Sequence, residues 1–158
     1  MSIVTAAYAR IYVGSETNTS GPNVLADYTA DTWTEVGQVQ DLGKFGSEAK
    51  EVAYTTLADN QTYRLKGTQD SGSFDLVCAR DPDDVGQSVL RTAAASEYLP
   101  RRFKVELADK PAGGTTNTIF YFKAITRSAQ SEFGKADKEI TQTFSVGISG
   151  NILEVEAA

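Results

Sequence analysis

The chain has 158 residues, 41% hydrophobic and 23% charged, with a net charge of −6, one cysteine and no histidine. That length supports a single domain with a real core, and no stretch approaches the roughly 18 apolar residues of a membrane helix. The acidic balance argues against a grip on nucleic-acid phosphates, the missing histidine removes the commonest general base and zinc ligand, and a lone cysteine excludes an internal disulfide.

In chain order, Ala7–Val13 reads as a strand closed by Gly14, with Tyr8, Arg10 and Tyr12 on one face and Ile11 and Val13 on the other. Ser15–Asn23 is rich in turn residues and reads as an exposed loop. Asn18-Thr19-Ser20 and Asn60-Gln61-Thr62 match the glycosylation pattern, but MSIVTAAYARIYVG lacks a charged n-region, so no secretory signal is expected and both matches are taken as chance. Trp33–Leu42 fits a strand with a bend at Gly37. Asp41–Glu51, with two glycines and five charged residues, reads as a long mobile loop. Val52–Leu57 is a candidate short strand, and Asp59-Asn60 a turn.

Tyr63–Lys66 and Phe74–Cys78 alternate with period two and are expected to be strands joined across Gly67–Gly72. A helix is expected from Asp81 as N-cap, with Pro82 in first position and Asp83 and Asp84 at the positive end, to about Ala95. Val85, Val89 and Ala93 form its expected apolar stripe, flanked by Leu90 and Ala94. Gly86 weakens its first turn by about 1 kcal/mol relative to alanine. Arg102–Leu107 is a clean strand with a charged outer face, and Asp109–Asn117 a turn-rich connection. Thr118–Ala129 carries apolar residues on both faces, so both are expected to meet apolar surface. After a charged loop at Ser131–Lys138, a last long strand sets Ile140, Phe144, Val146 and Ile148 against Thr141, Thr143 and Ser145. Seven or eight strands, one helix and no internal repeat give a mainly β chain, an antiparallel β-sandwich or barrel with one flanking α-helix.

No catalytic constellation emerges. Asp81, Asp83 and Asp84 are explained by helix capping, and neither they nor Glu48 and Glu51 match a calcium loop. Gly67–Gly72 lacks the lysine-serine/threonine ending of a phosphate loop. Arg101-Arg102 reads as a solvated strand start or a subunit contact, and no nucleophile elbow is present. Cys78, between Val77 and Ala79, reads as a small buried hydrophobe. The expectation is no enzyme, no catalytic residue, no metal and no cofactor.

Six segments carry a resemblance: W-T-E-V-G (33–37), D-L-G-K-F-G (41–46), R-L-K-G (64–67), D-S-G-S-F (70–74), D-P-D-D-V-G-Q-S-V-L (81–90) and R-F-K-V-E-L (102–107). In this order and spacing they resemble the major tail tube proteins of long-tailed, lambda-like phages across roughly residues 5–150. The resemblance implies a single tail tube domain over 1–158, of packed β-sheets flanked by a helix. It implies subunits that form hexameric rings stacked into a hollow conduit for DNA, within a virion tail. Strands from all subunits of a ring would join in an inner barrel. Tape-measure and tail-tip or terminator proteins would be partners, DNA would pass without specific binding, no membrane would be involved, and synthesis would be in the host cytoplasm.

In that family a long loop between early strands is mobile in free subunits and orders on stacking. Residues 41–59 occupy its place, with Asp41, Lys44, Phe45, Glu48, Lys50 and Glu51 as candidate stacking residues. Ser73, Asp75, Thr141, Thr143 and Ser145 are candidates for the lumen face, the alternative being an ordinary solvated sheet face. Residues 1–60 carry eight acids against three bases, and residues 61–158 thirteen against twelve. That charge would repel DNA, although it serves solubility equally.

Two other readings stand beside this one. A ligand- or carbohydrate-binding β-sandwich would be a stable monomer with aromatics such as Tyr8, Tyr12, Trp33 and Tyr98 in a groove. Another virion component, such as a tail terminator or capsid decoration protein, would share the β-rich composition.

Overall fold

Alternation at Ile11 and Val13 does build a strand, β1 (Arg10–Gly14), and buries both side chains. It starts later than expected because Tyr8 takes a left-handed backbone conformation, φ 65°, which breaks the extended run. The computed structural model describes residues 3–15 and 24–158, so the loop expected over 15–23 falls outside the described residues except for Ser15. A five-residue helix the sequence reading did not anticipate, α1 (Leu25–Thr29), precedes β2 (Trp33–Val36) and β3 (Val39–Asp41). Then come β4 (Glu48–Thr55), β5 (Thr62–Asp70), β6 (Ser73–Ala79), α2 (Val85–Ser96), β7 (Arg101–Glu106), β8 (Ile119–Glu132) and β9 (Thr141–Val155).

Seven strands form one antiparallel sheet in the order β2-β1-β7-β8-β9-β6-β3, and β4 and β5 form a separate two-stranded hairpin. The two edge strands of the large sheet, β2 and β3, are consecutive in the chain, with only Gly37 and Gln38 between them. Three residue steps span at most about 11 Å. A flat seven-stranded sheet would hold its edges roughly 29 Å apart. The sheet is therefore rolled toward a barrel, and the expected bend in 33–42 is its seam. Gln38 turns the corner with φ 57°.

The inward face supplies the core: Ile11, Val13, Val36, Phe74, Leu76, Cys78, Phe103, Val105, Phe122, Ala124, Phe144, Val146 and Ile148, closed by Leu90 of α2. Phe103 and Phe122 are cross-strand partners with rings stacked at 5.7 Å. Cys78 has no exposed surface, and burial pushes its thiol up to about 12.

Helix α2 departs from expectation at its start. The N-cap is Asp84, whose Oδ2 accepts from Gln87 N at 2.8 Å, while Asp81 caps the preceding turn by accepting from Asp83 N at 3.0 Å. The buried stripe is Gly86, Gln87, Leu90 and Ala93, with Val89 partly buried, and Val85 faces solvent. The rotation follows from Gly86. A Cβ there would lie 2.3 Å from Glu35 O and 2.7 Å from Val36 Cα, so the helix rests directly on the backbone of β2. The propensity cost of this glycine secures contact that no side chain would permit.

Gln87 locks the seam. Fully buried, it donates from Nε2 to Gly37 O and Ala79 O, both at 2.9 Å, and accepts at Oε1 from Asp81 N at 3.0 Å. Asp84 Oδ2 also accepts from Gly37 N at 3.1 Å.

Further corrections come from long-range pairing. β5 pairs with β4 rather than with β6, whose neighbours are β3 and β9. The segment expected as a loop is strand from Glu48 onward. The charged face of β7 is not all solvated: Arg102 and Asp31 form an ion pair at 3.2 Å, with side chains 11% and 0% exposed. The second apolar face of β8 is covered within the chain, since Tyr121 stacks on Tyr28 of α1 at 5.2 Å and lies 6.1 Å from Trp33. Ile140 lies outside β9 and is exposed.

Candidate functional site

Two surfaces of the described residues are left without cover. The first is the outward face of β6, β9 and the distal half of β8. Antiparallel register places Asp75 opposite Ser145, Ser73 opposite Gly147 and Val77 opposite Thr143. Across the other edge of β9, Ser128 meets Ser145, Gln130 meets Thr143 and Glu132 meets Thr141. All five residues expected on a lumen face therefore share one polar surface, opposite Phe74, Leu76, Phe144 and Val146. Ser73 and Asp75 are exposed, Thr143 and Ser145 half-buried, and Thr141 is buried at the start of its strand. Arg127, at a β-bulge, joins this face and donates to Ser145 Oγ at 2.9 Å. The sequence reading missed it because the bulge breaks the period-two count.

Beside this face the sheet has unpaired edges. β7 accompanies β8 only as far as Ala124, which leaves the edge of β8 from Ile125 to Glu132 without a strand partner among the described residues, although α2 packs against β8. β6 leaves β9 at Gly147, after which Ile148 N donates to Gly72 O and Ser71 Oγ donates to Gly150 O. Such edges are templates for pairing with another chain.

The second surface is the β4–β5 hairpin, an arm whose strands pack chiefly on each other. Val52 faces Leu65 and Tyr54 faces Tyr63, with the tyrosine rings stacked at 5.5 Å. These four form one apolar face, and all are more than 40% exposed. The other face is polar: Arg64 Nε donates to Glu51 Oε1 at 2.8 Å, and the Thr55 and Thr62 hydroxyls lie 3.2 Å apart. At the tip, Asp59 accepts from the Thr56 and Tyr63 hydroxyls and from Gln61 N. The Thr56 and Tyr63 hydrogen bonds hold the Asp59 carboxyl below the ordinary carboxylate range, and Asp59 in turn raises the Tyr63 phenol.

The candidate stacking residues separate in the structure. Asp41 ends β3 and caps the turn at Gly43 by accepting from its N at 2.7 Å. Lys44 is exposed in the connection, and Glu48, Lys50 and Glu51 are exposed on β4. Phe45 instead turns inward, with its ring 5.2 Å from Phe74 and 5.4 Å from Phe122, and anchors the base of the arm to the core. Val52, Tyr54, Leu57, Tyr63 and Leu65 were missed. Their signal was two alternating pairs flanking a T-L-A-D-N turn, an amphipathic hairpin.

A model of the phage tail tube protein family matches residues 16–151. The chain belongs to that family. As a tail tube protein it is a structural tail subunit, and its fold is shared by solved tail structures. The SPP1 tail tube aligns at TM-score 0.64 and 14% identity, covering 96% of this chain and 78% of that one. The tail of an empty GTA particle aligns at 0.61 and 12%, covering 92% and 94%. The tube-terminating cap of the anti-feeding prophage aligns at 0.69 and 11%, covering 99% and 93%. No curated protein matches the chain at a significant level. The mainly β, antiparallel architecture with helices packed against a rolled sheet agrees with the fold expected for this tail tube protein.

Proposed function

We propose that this tail tube protein is the repeating subunit of a hollow conduit, with six copies per ring and rings stacked along the tail. The carrying observation is the family match over 16–151. Support for a six-fold ring comes from the GTA tail, which is described with C6 symmetry. The open edge of β8 offers the strand pairing that joins neighbours in a ring. The lumen wall is the polar face of Ser73, Asp75, Thr143 and Ser145 with Ser128 and Gln130, and Thr141 at its margin.

Hydroxyls and amides on such a wall bind phosphate weakly, Arg127 on this face is outnumbered by Asp75 and Glu132, and a net charge of −6 repels phosphate, so DNA passes without being held. Partners in this reading are further copies of the chain, a tape-measure protein inside the tube, and tail-tip or terminator proteins at its ends. The protein is made in the host cytoplasm and ends in the virion, and no helix among the described residues is long and apolar enough to cross a membrane. Negative-stain microscopy of the concentrated protein, alone and seeded with isolated tail tips, tests this. Uniform hollow tubes are expected, and a protein that stays monomeric under both conditions refutes the reading.

A further inference from the structure

We propose that Arg80, Arg91, Ser131 and Gln142 form a binding site for a doubly charged tetrahedral oxyanion, the chemistry of inorganic phosphate or of a terminal phosphate monoester. The site is separate from the polar sheet face, and it stands whether or not the chain builds a tube.

It is built on one rung of the large sheet. Cys78, Gln142 and Ser131 are cross-strand neighbours on β6, β9 and β8. Their side chains share the inward face, opposite Thr141 and Thr143. Arg80 continues the alternation of Leu76 and Cys78 just past the end of β6. Its side chain reaches across β9, a distance of about two strand spacings or ~10 Å, and Nη1 donates to Ser131 Oγ at 3.3 Å. From the other side, α2 packs on β8, and Arg91 Nη1 donates to Gln142 Oε1 at 3.1 Å. Gln142 is only 3% exposed and links the two arginines, because its Nε2 donates to Ser131 Oγ at 3.5 Å.

What this cluster leaves unused is donors. Ser131 Oγ already accepts from Arg80 and Gln142, so its own proton is left to donate. Gln142 Oε1 is taken by Arg91, and both guanidiniums keep most of their N–H groups unused. The charge is unbalanced as well. Arg10, Arg64, Arg101 and Arg102 each have a carboxylate partner, whereas Arg80 and Arg91 form no ion pair among the described residues. The acids nearest in sequence are engaged elsewhere: Glu132 with Lys138, Glu139 with Gln40, Asp81 with Asp83 N and Asp84 with Gln87 N.

Two uncompensated guanidiniums call for a divalent anion, and guanidinium recognises phosphate through charge-assisted hydrogen bonds. A tetrahedral ion points its oxygens apart, so it meets donors arriving from α2, β8, β9 and the end of β6 together. A planar carboxylate carries one charge and two oxygens and meets fewer of them. Arg80 is exposed and Arg91 and Ser131 are half-buried, which leaves the cluster open to solvent.

Calorimetric titration of the full chain with inorganic phosphate, in chloride at constant ionic strength, tests this. Saturable one-to-one binding is expected, with acetate at least tenfold weaker. Arg80→Gln and Arg91→Gln are each expected to weaken phosphate binding about tenfold or more. Lys110→Gln, which removes the same charge at the far end of β8, is expected to leave it unchanged. Urea unfolding without phosphate shows whether each variant is folded, and Arg80→Gln, changed at an exposed position, decides if Arg91→Gln is not. A nucleoside monophosphate binding as well as phosphate assigns the site to phosphate monoesters, and phosphate binding alone assigns it to the free ion. No saturable heat with either probe overturns the site. Acetate binding as tightly as phosphate overturns the tetrahedral dianion. Phosphate affinity unchanged in a folded Arg80→Gln, or lowered equally in Lys110→Gln, overturns the placement.

Discussion

Replacing Gln87 by leucine keeps most of the buried volume and removes the polar lock at the barrel seam. Three backbone groups lose their partner: Gly37 O, Ala79 O and Asp81 N, now bonded at 2.9, 2.9 and 3.0 Å. A buried group left without a partner costs about 1–3 kcal/mol. Gly37, Ala79 and Asp81 are half-buried, and solvent recovers part of that loss. The expected destabilisation is therefore about 2–4 kcal/mol, read from the low end of that range for three groups. Urea unfolding followed by the fluorescence of Trp33, the only tryptophan, measures it. With a slope of about 2 kcal/mol per molar, the midpoint moves down by about 1–2 M with the slope unchanged. A midpoint within error of wild type would refute the reasoning, because it would mean that the seam is held by the sheet alone.

Three further outcomes are expected. Gly86→Ala, stabilising in an isolated helix, destabilises here by about 2 kcal/mol or more in the same urea assay, since its Cβ meets Glu35 O at 2.3 Å. Asp31→Asn removes the carboxylate that accepts from Arg102 at 3.2 Å and from Ser15, and costs about 2 kcal/mol in the same assay at neutral pH. Burial opposes ionisation of Asp31, but hydrogen bonds from Ser15 and Arg102 outweigh it and lower its folded pKa. The stability from this group is present above its unfolded value of about 3.9 and is lost as pH falls through the lower folded value. The gap between wild type and Asp31→Asn in an acid titration should close over that window. Finally, the native Cys78 thiol should react with a maleimide only as fast as the protein unfolds, because the side chain has no exposed surface and its thiolate is disfavoured.

Period-two alternation made β1, β7 and β9 legible, because each has one face on the core and one outside it. The same alternation in Tyr63–Lys66 and Phe74–Cys78 was legible as strand but not as pairing. Partners are chosen at long range, and β6 is taken by β9, some seventy residues further along the chain. The shared polar face was readable from Thr141, Thr143 and Ser145 alone, whereas Arg127 was hidden by a bulge. Asp81 reads as the N-cap from its place before Pro82, but the cap is Asp84, and that choice depends on where Gln87 finds its partners. The stripe on α2 was misplaced for a related reason: Gly86 was read as a helix defect, and only contact with β2 shows it to be the point of closest approach. α1 has five residues, too few to display a period, and its place is set by Tyr28 stacking on Tyr121.

The most direct test of the tube assignment is a cryo-microscopy map of assembled tubes with side chains resolved. The expected result is a six-fold hollow tube whose inner wall carries Ser73, Asp75, Thr143 and Ser145, with Phe74, Leu76, Phe144 and Val146 behind them in the subunit core. A tube with that face on its outer surface, or a solid filament, would contradict the assignment.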